Sequence, residues 1–212
     1  LASYLSGGML RVSADVELIS GDDKAIEPVV GSFTVDGLTY AIMGEGQVAL
    51  VAVSPRTLAG GLAGGSDVGS DAEGDGEAAA LALPDAVSYE STDYSLAAIG
   101  PRALAGCDAA TVALPASVET VDQAAFEGSS VASVEVAEGN PEYSSYDGML
   151  FDAGLTRLLL IPEGKQGAAR VPSTAQEVDA HALSHSGGVA SFSVDAGCAA
   201  FHSENGCLYD AS

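Results

Sequence analysis

An acidic run, a histidine pair and three cysteines are the residues whose types and spacing could do chemistry. Asp71, Glu73, Asp75 and Gly76 have the spacing that opens a calcium-binding loop, in which carboxylate oxygens converge on the ion. The twelfth position of such a loop should be a bidentate Glu, but here it is Ala82, and no helical pattern frames the run. A solvated acidic linker is the better reading. His181 and His185 are four apart, which on a helix places both on one face. With His202, Cys198 and Cys207 they could be drawn as a zinc set, since zinc needs three or four such ligands. The internal repeat described next sets both histidines on a turn, where surface or half-buried imidazoles are the plainer expectation. A cysteine nucleophile with a histidine partner can be drawn from the same residues. It would need a third orienting group, an oxyanion donor and a lowered thiol pKa, and nothing in the sequence supplies them. No catalytic residue, metal ligand or cofactor is assigned.

The elements that position these residues come from repetition. Residues 136–154 and 194–212 align without a gap 58 residues apart, with seven identical positions. A shorter period lies inside the longer one. Pro115 lies eleven residues before Phe126, and Pro172 eleven before Leu183; IGPRALAGC at 99–107 lies over VDQAAFEGS at 121–129. After each copy comes an apolar triplet: Ala109, Val112, Leu114; Val131, Val134, Val136; and Val189, Phe192, Val194. The last two members of each triplet flank one small or polar residue, the period of a strand. The preceding AxAF-like piece suits one tight helical turn. One strand and one turn per 22–23 residues is the unit of a leucine-rich repeat, which buries its apolar side only by stacking. Strands at 112–114, 134–136 and 192–194 are expected to stack in parallel and in register. Leu104, Cys107, Val112, Leu114, Phe126, Val134, Val136, Leu183, Phe192 and Val194 are the expected core.

The segment IGPRALAGCDAATVALPASVETVDQAAFEGSSVASVEV resembles the bacterial BspA-type leucine-rich repeat family. NPEYSSYDGMLFDAGLTRLLLIPEGK resembles that family's inserted hairpin, and LPDAVSYESTDYSLAAIG its lengthened first repeat. The likeness covers about residues 81–212, and GSFTVDGLTYAI at 31–42 matches more weakly. The sequence departs from the family pattern where Phe is Leu at 104 and 183 and Cys is Ser at 129 and 186. The resemblance implies a leucine-rich repeat solenoid of parallel strands and short helical turns with inserted β-hairpins. It further implies a bacterial, secreted or cell-surface protein that mediates adhesion or protein binding, and it names no catalytic residues.

Three regions are expected along the chain: a small β-rich N-terminal segment at 1–58, a Gly- and acid-rich linker or loop at 59–80, and the solenoid at 81–212. The chain begins at Leu1 and ends at Ser212 inside a repeat, so a fragment or processed form is expected. FTVDGLTYAI at 33–42 reads as a hairpin turning at Asp36-Gly37; Asp147-Gly148 and Asn205-Gly206 are equivalent turns. Cys107 is expected as a small buried apolar side chain. Cys198 and Cys207 replace Asn140 and Met149 of the earlier copy. They are the candidate disulfide in an oxidising compartment, although a hairpin centred on Asn205-Gly206 does not set them directly opposite.

Seven Lys and Arg stand against 30 Asp and Glu, a net charge of −23. Nucleic acid and anionic membrane surfaces both require cationic protein faces, so the charge argues against both and leaves a basic partner or bound cations open. No run of 18 apolar residues is present, so membrane insertion by a helix is not expected. The strand residues between the core triplets should face outward, which makes Thr111, Ser133, Glu135, Ser191 and Ser193 the expected binding face. Tyr143 and Tyr146 in the inserted hairpin either join that face or pack the hairpin onto the solenoid. The expected function is non-catalytic binding of an extracellular protein or glycan at the cell surface; the alternative is a passive spacer or stalk of a larger surface protein.

Overall fold

The structure, a computed structural model, describes residues 31–44, 46–54, 80–184 and 186–211. The acidic run at 71–76, nearly all of the expected linker, and His185 lie outside those residues.

β1 (Gly31–Val35) and β2 (Leu38–Gly44) form a hairpin with Val35 opposite Leu38. Its turn residues Asp36 and Gly37 both take positive φ, 51° and 78°, as a tight two-residue hairpin turn demands. β3 (Gln47–Val53) pairs antiparallel with β2. β4 (Ala80–Ala82), β5 (Ala86–Tyr89) and β6 (Thr92–Ile99) follow, and β6 pairs in parallel with β3. Strands 31–53 therefore share a sheet and a core with the repeats. Phe33 stacks on Tyr89 at 4.3 Å between ring centroids, with Tyr94 at 5.6 Å, which pins the β1–β2 hairpin to the antiparallel pair β5–β6.

β7 (Thr111–Leu114), β8 (Thr120–Val121) and β9 (Ser133–Val136) carry the short repeat. β4, β7 and β9 form a parallel sheet in which Thr111 pairs with Ser133 and Leu114 with Val136. β6 and β8 form a second parallel ladder, Ile99 opposite Val121. Between the ladders, the turns also stack at this spacing: the Arg102, Leu104 and Gly106 N–H groups donate to Ala124, Ala125 and Gly128 carbonyls at 2.8–3.0 Å. Each unit thus hands its backbone bonds to the next along its whole length, the condition for a repeat to stack. Leu104, Val112 and Val134 are fully buried, with Cys107 and Leu114 at 1% exposure and Phe126 at 2%. Burial of each large apolar side chain here contributes about 1.5–3 kcal/mol.

β10 (Tyr143–Tyr146) and β11 (Met149–Asp152) form the first inserted hairpin, and β12 (Arg157–Leu160) pairs antiparallel with β11. Next come β13 (Gly167–Val171), β14 (Glu177–Val178), α1 (Ala180–Ser184) and β15 (Val189–Val194). β14 pairs in parallel with β12, and β15 with β13. The second hairpin, β16 (Phe201–Glu204) and β17 (Cys207–Asp210), follows. Strands dominate the described residues, a pattern that fits a repeat fold.

Asn140 secures the inserted hairpin β10–β11. It is buried at 9% exposure and fully satisfied. Its Nδ2 donates to the carbonyls of Pro115 (3.1 Å) and Val118 (2.9 Å), and its Oδ1 accepts from the N–H groups of Glu142 (2.9 Å) and Tyr143 (2.8 Å).

Three expectations are corrected. Residues 192–194 do not neighbour 134–136: β15 pairs with β13, a strand absent from the sequence reading, and the tip of the first hairpin lies against β9. Leu183 is not core but 42% exposed. Its neighbour Ala182 faces inward at 4% exposure, while Leu183 lines the open groove beside β15, where no described layer covers it. Phe192 and Val136 are only partly buried, and Val194 likewise. Finally, Cys107, Cys198 and Cys207 are all free thiols. Cys207 stands at the turn end of its hairpin, paired with Glu204, whereas Cys198 precedes the open end at Phe201. The three strand steps from Phe201 to Glu204 alone span about 10 Å, beyond the Cα separation a disulfide can bridge.

Candidate binding face

β7, β9, β13 and β15 present the residues between their buried positions. Thr111 and Ser133 are partners in register, as are Ala113 and Glu135; beyond the hairpin, Ala168 pairs with Ser191 and Arg170 with Ser193. Glu135, Arg170 and Ser193 are exposed, while Thr111, Ser133 and Ser191 are half-buried.

The two serines are covered because each hairpin turn docks on a strand in the same way. The Val134 N–H donates to the Gly148 carbonyl at 2.9 Å, and the Phe192 N–H to the Gly206 carbonyl at 2.7 Å. These bonds are 58 residues apart at both ends. A Cβ on Gly148 would lie 2.6 Å from Ser133 Oγ, and one on Gly206 3.0 Å from Ser191 Cβ. Only glycine permits that approach, and both positions also have positive φ. Ser133 and Ser191 thus seat hairpin turns.

The first turn is also held from the far side. Asp147 accepts the Arg170 N–H on its carboxylate at 2.8 Å and lies 3.2 Å from Lys165 Nζ. Lys165 Nζ also donates to the Asp147 carbonyl at 2.5 Å. One hairpin tip therefore bridges β9 and β13, which separates Thr111 and Ser133 from Ser191 and Ser193. Tyr146 OH donates to Asp195 Oδ2 at 2.5 Å, Arg170 Nε donates to Asp195 Oδ1 at 2.5 Å, and the guanidinium lies 5.8 Å from the Tyr146 ring centroid. The Tyr146 hydroxyl, then Arg170, hold the Asp195 carboxyl below its ordinary range, and the same bond to Asp195 pushes the Tyr146 phenol up.

Tyr143 turns the other way. Its ring packs against the main core and its hydroxyl accepts the Val121 N–H at 2.9 Å. The two tyrosines are three residues apart on a strand of period two, so they occupy opposite faces. Tyr146 packs edge-on to Phe151 with centroids 6.5 Å apart. The sequence reading missed Asp147, Lys165, Arg170 and Asp195. The signal available was that basic residues are rare in this chain, and two of the seven fall within six residues. Arg157, Lys165 and Arg170 each pair with an acid of the fold.

Among the described residues, no cluster of three or more His, Cys, Asp and Glu could hold a metal, and no helix is long and apolar enough to cross a membrane. No protein-family model and no curated protein matches the chain. Among solved structures, a leucine-rich repeat protein from Eubacterium ventriosum is similar at 20% identity and TM-score 0.39, over 55% of this chain; the match spans 30% of that protein's length. A leucine-rich repeat protein from Bacteroides capillosus is similar at 16% identity and TM-score 0.45, covering 77% of this chain and 98% of that one. A leucine rich cell surface protein from Faecalibacterium prausnitzii is similar at 10% identity and TM-score 0.36, over 84% of this chain and 58% of that one.

Proposed function

We propose that this chain is a leucine-rich repeat solenoid of the BspA-like kind, secreted or displayed at the bacterial surface, which binds an extracellular protein or glycan without catalysis. The observation that carries this reading is the exposed row of strand residues around the docked hairpin tip: Glu135, Arg170 and Ser193, with Tyr146 and Asp195 beside them. A rigid, repeat-built face bearing fixed charge and an aromatic ring is suited to recognition. The resemblance of residues 81–212 to surface-displayed repeats supports the location. The net charge of −23 favours a basic partner and weakens attraction to polyanionic glycans.

A spacer or stalk role is the second reading, favoured by the small side chains of the strand row and by the covering of Ser133 and Ser191. Retention assays against immobilised matrix proteins and neutral glycans separate the two. A retained ligand whose binding weakens with salt and is lost in Glu135→Arg supports recognition by this face. Failure to retain any of them favours the spacer.

A further inference from the structure

The inserted sheet lies between two apolar cores. Tyr143, Leu150 and Leu160 turn one of its faces to the core of the first repeats. Tyr146, Met149, Phe151 and Leu158 turn the other face to a smaller core shared with Ile161, Ala169 and Ala182. Among the described residues, no backbone bond joins β9 directly to β13. On the face of the exposed strand row, hairpin β10–β11 therefore carries the connection between them. On the turn side the two parts meet backbone to backbone: the Gly164 N–H donates to the Val131 carbonyl at 2.9 Å, and the Ser130 backbone leaves no room for a Cβ there.

The two ends of the hairpin are held by different chemistry. Its base is fixed by Asn140, through four backbone partners, and by Tyr143, whose ring packs in the larger core and whose hydroxyl accepts the Val121 N–H. Its tip is held to β13 by charge. Asp147 accepts the Arg170 N–H at 2.8 Å and lies 3.2 Å from Lys165 Nζ. The Lys165 side chain is only 11% exposed, so its charge is screened less than that of a surface pair. Tyr146 and Arg170 both donate to the Asp195 carboxylate.

We propose that the hairpin is a strap with a permanent base and a charge-operated tip, and that release of the tip is the local opening by which β13 uncouples from β9. Loss or screening of the Asp147 charge removes its hold on Lys165 and on the Arg170 N–H. Residues 146–148 then leave their seat, and the bond from the Val134 N–H to the Gly148 carbonyl goes with them. Met149 and Leu150, both enclosed, keep the strands of the hairpin in place. Openings held by exposed polar contacts lie below global unfolding in free energy. The exposed row crosses this seam, with Glu135 on one side and Arg170 and Ser193 on the other, so the strap sets their spacing. That bearing on recognition rests on the function proposed above; the strap itself does not.

Hydrogen exchange of backbone amides in the intact chain, followed residue by residue by nuclear magnetic resonance, tests the strap without any ligand. The Arg170 and Val134 N–H groups report the tip, because their acceptors are the Asp147 carboxylate and the Gly148 carbonyl. The Leu104 N–H, bonded to the Ala125 carbonyl, reports the repeats alone. Relative to Leu104, both tip reporters should exchange about fivefold faster when salt is raised from about 0.05 M to about 1 M, where the screening length falls to about 3 Å. Asp147→Asn keeps a residue suited to the turn and an oxygen acceptor for the Arg170 N–H, but removes the charge. Asn205 stands at that place in the second hairpin. The variant should speed both reporters by a similar factor at low salt, leave Leu104 unchanged and abolish the salt dependence. A chain that retains no ligand yet opens in this way would refute the proposed function and leave the strap standing. Reporters no faster than Leu104, rates indifferent to salt, or a variant that keeps the parent's salt dependence would each overturn the proposal.

Discussion

Replacing Asn140 by Ala removes four hydrogen bonds at one stroke, two to the carbonyls of Pro115 and Val118 and two from the N–H groups of Glu142 and Tyr143. The carbonyl bonds are buried and the N–H bonds partly so. A net loss of about 1 kcal/mol per bond, reduced where water reaches the two N–H groups, predicts a destabilisation of about 2–4 kcal/mol. Urea unfolding followed by far-ultraviolet circular dichroism reads it as a lower midpoint with unchanged slope. The duplication supplies an internal control. Cys198 stands at the equivalent position and keeps one of the four bonds, its Sγ lying 3.4 Å from the Ala175 carbonyl, and a thiol is a weak donor. Cys198→Asn should therefore stabilise the second hairpin, by about 1 kcal/mol for each buried bond restored. A loss below about 1 kcal/mol for Asn140→Ala would refute the reasoning that hydrogen-bond satisfaction holds the hairpin to the preceding repeat. A Cys198→Asn variant no more stable than the parent would show that the two hairpin entrances are not physically equivalent.

Phe126→Ala should cost about 3–5 kcal/mol by the same denaturation assay, because the ring is almost fully enclosed. Leu183→Ala, at the matching repeat position, should stay within about 0.5 kcal/mol as a surface substitution; equal costs would mean that Leu183 is covered. Thiol titration of the unreduced, denatured protein should count three free cysteines, in line with the separation of Cys198 from Cys207; a count of one would restore the disulfide. Acidification should destabilise the fold below about pH 4, where ordinary carboxylates begin to protonate. Burial alone would raise the Asp152 carboxyl. The Thr156 hydroxyl and the Arg157 and Thr156 N–H groups outweigh it and lower its pKa, and Tyr146 and Arg170 lower that of Asp195. A carboxylate lowered on folding adds stability above its unfolded pKa, and that stability is lost as pH falls through its folded pKa. Asp152→Asn should flatten this acid limb, and an unchanged limb would remove Asp152 as its cause.

Turn chemistry and the 22-residue period were legible in the residues alone. The spacing of 22 between Val112 and Val134 appears as a parallel pair in that register, because each core position must meet its own copy in the next layer. Asp36-Gly37, Asp147-Gly148 and Asn205-Gly206 all make turns with positive φ, because turn chemistry is local. One strand was overlooked although its signal was present: Ala169, Val171 and Pro172 repeat the pattern of Val112, Leu114 and Pro115. Long-range packing sets which strand neighbours which once a hairpin intervenes. It alone set Tyr146, Arg170 and Asp195 together from three distant segments. It also buried Phe126 while exposing Leu183. Equivalent residues in a repeat share a conformation, but burial depends on the layer laid over them, and that layer is contributed by residues remote in the chain.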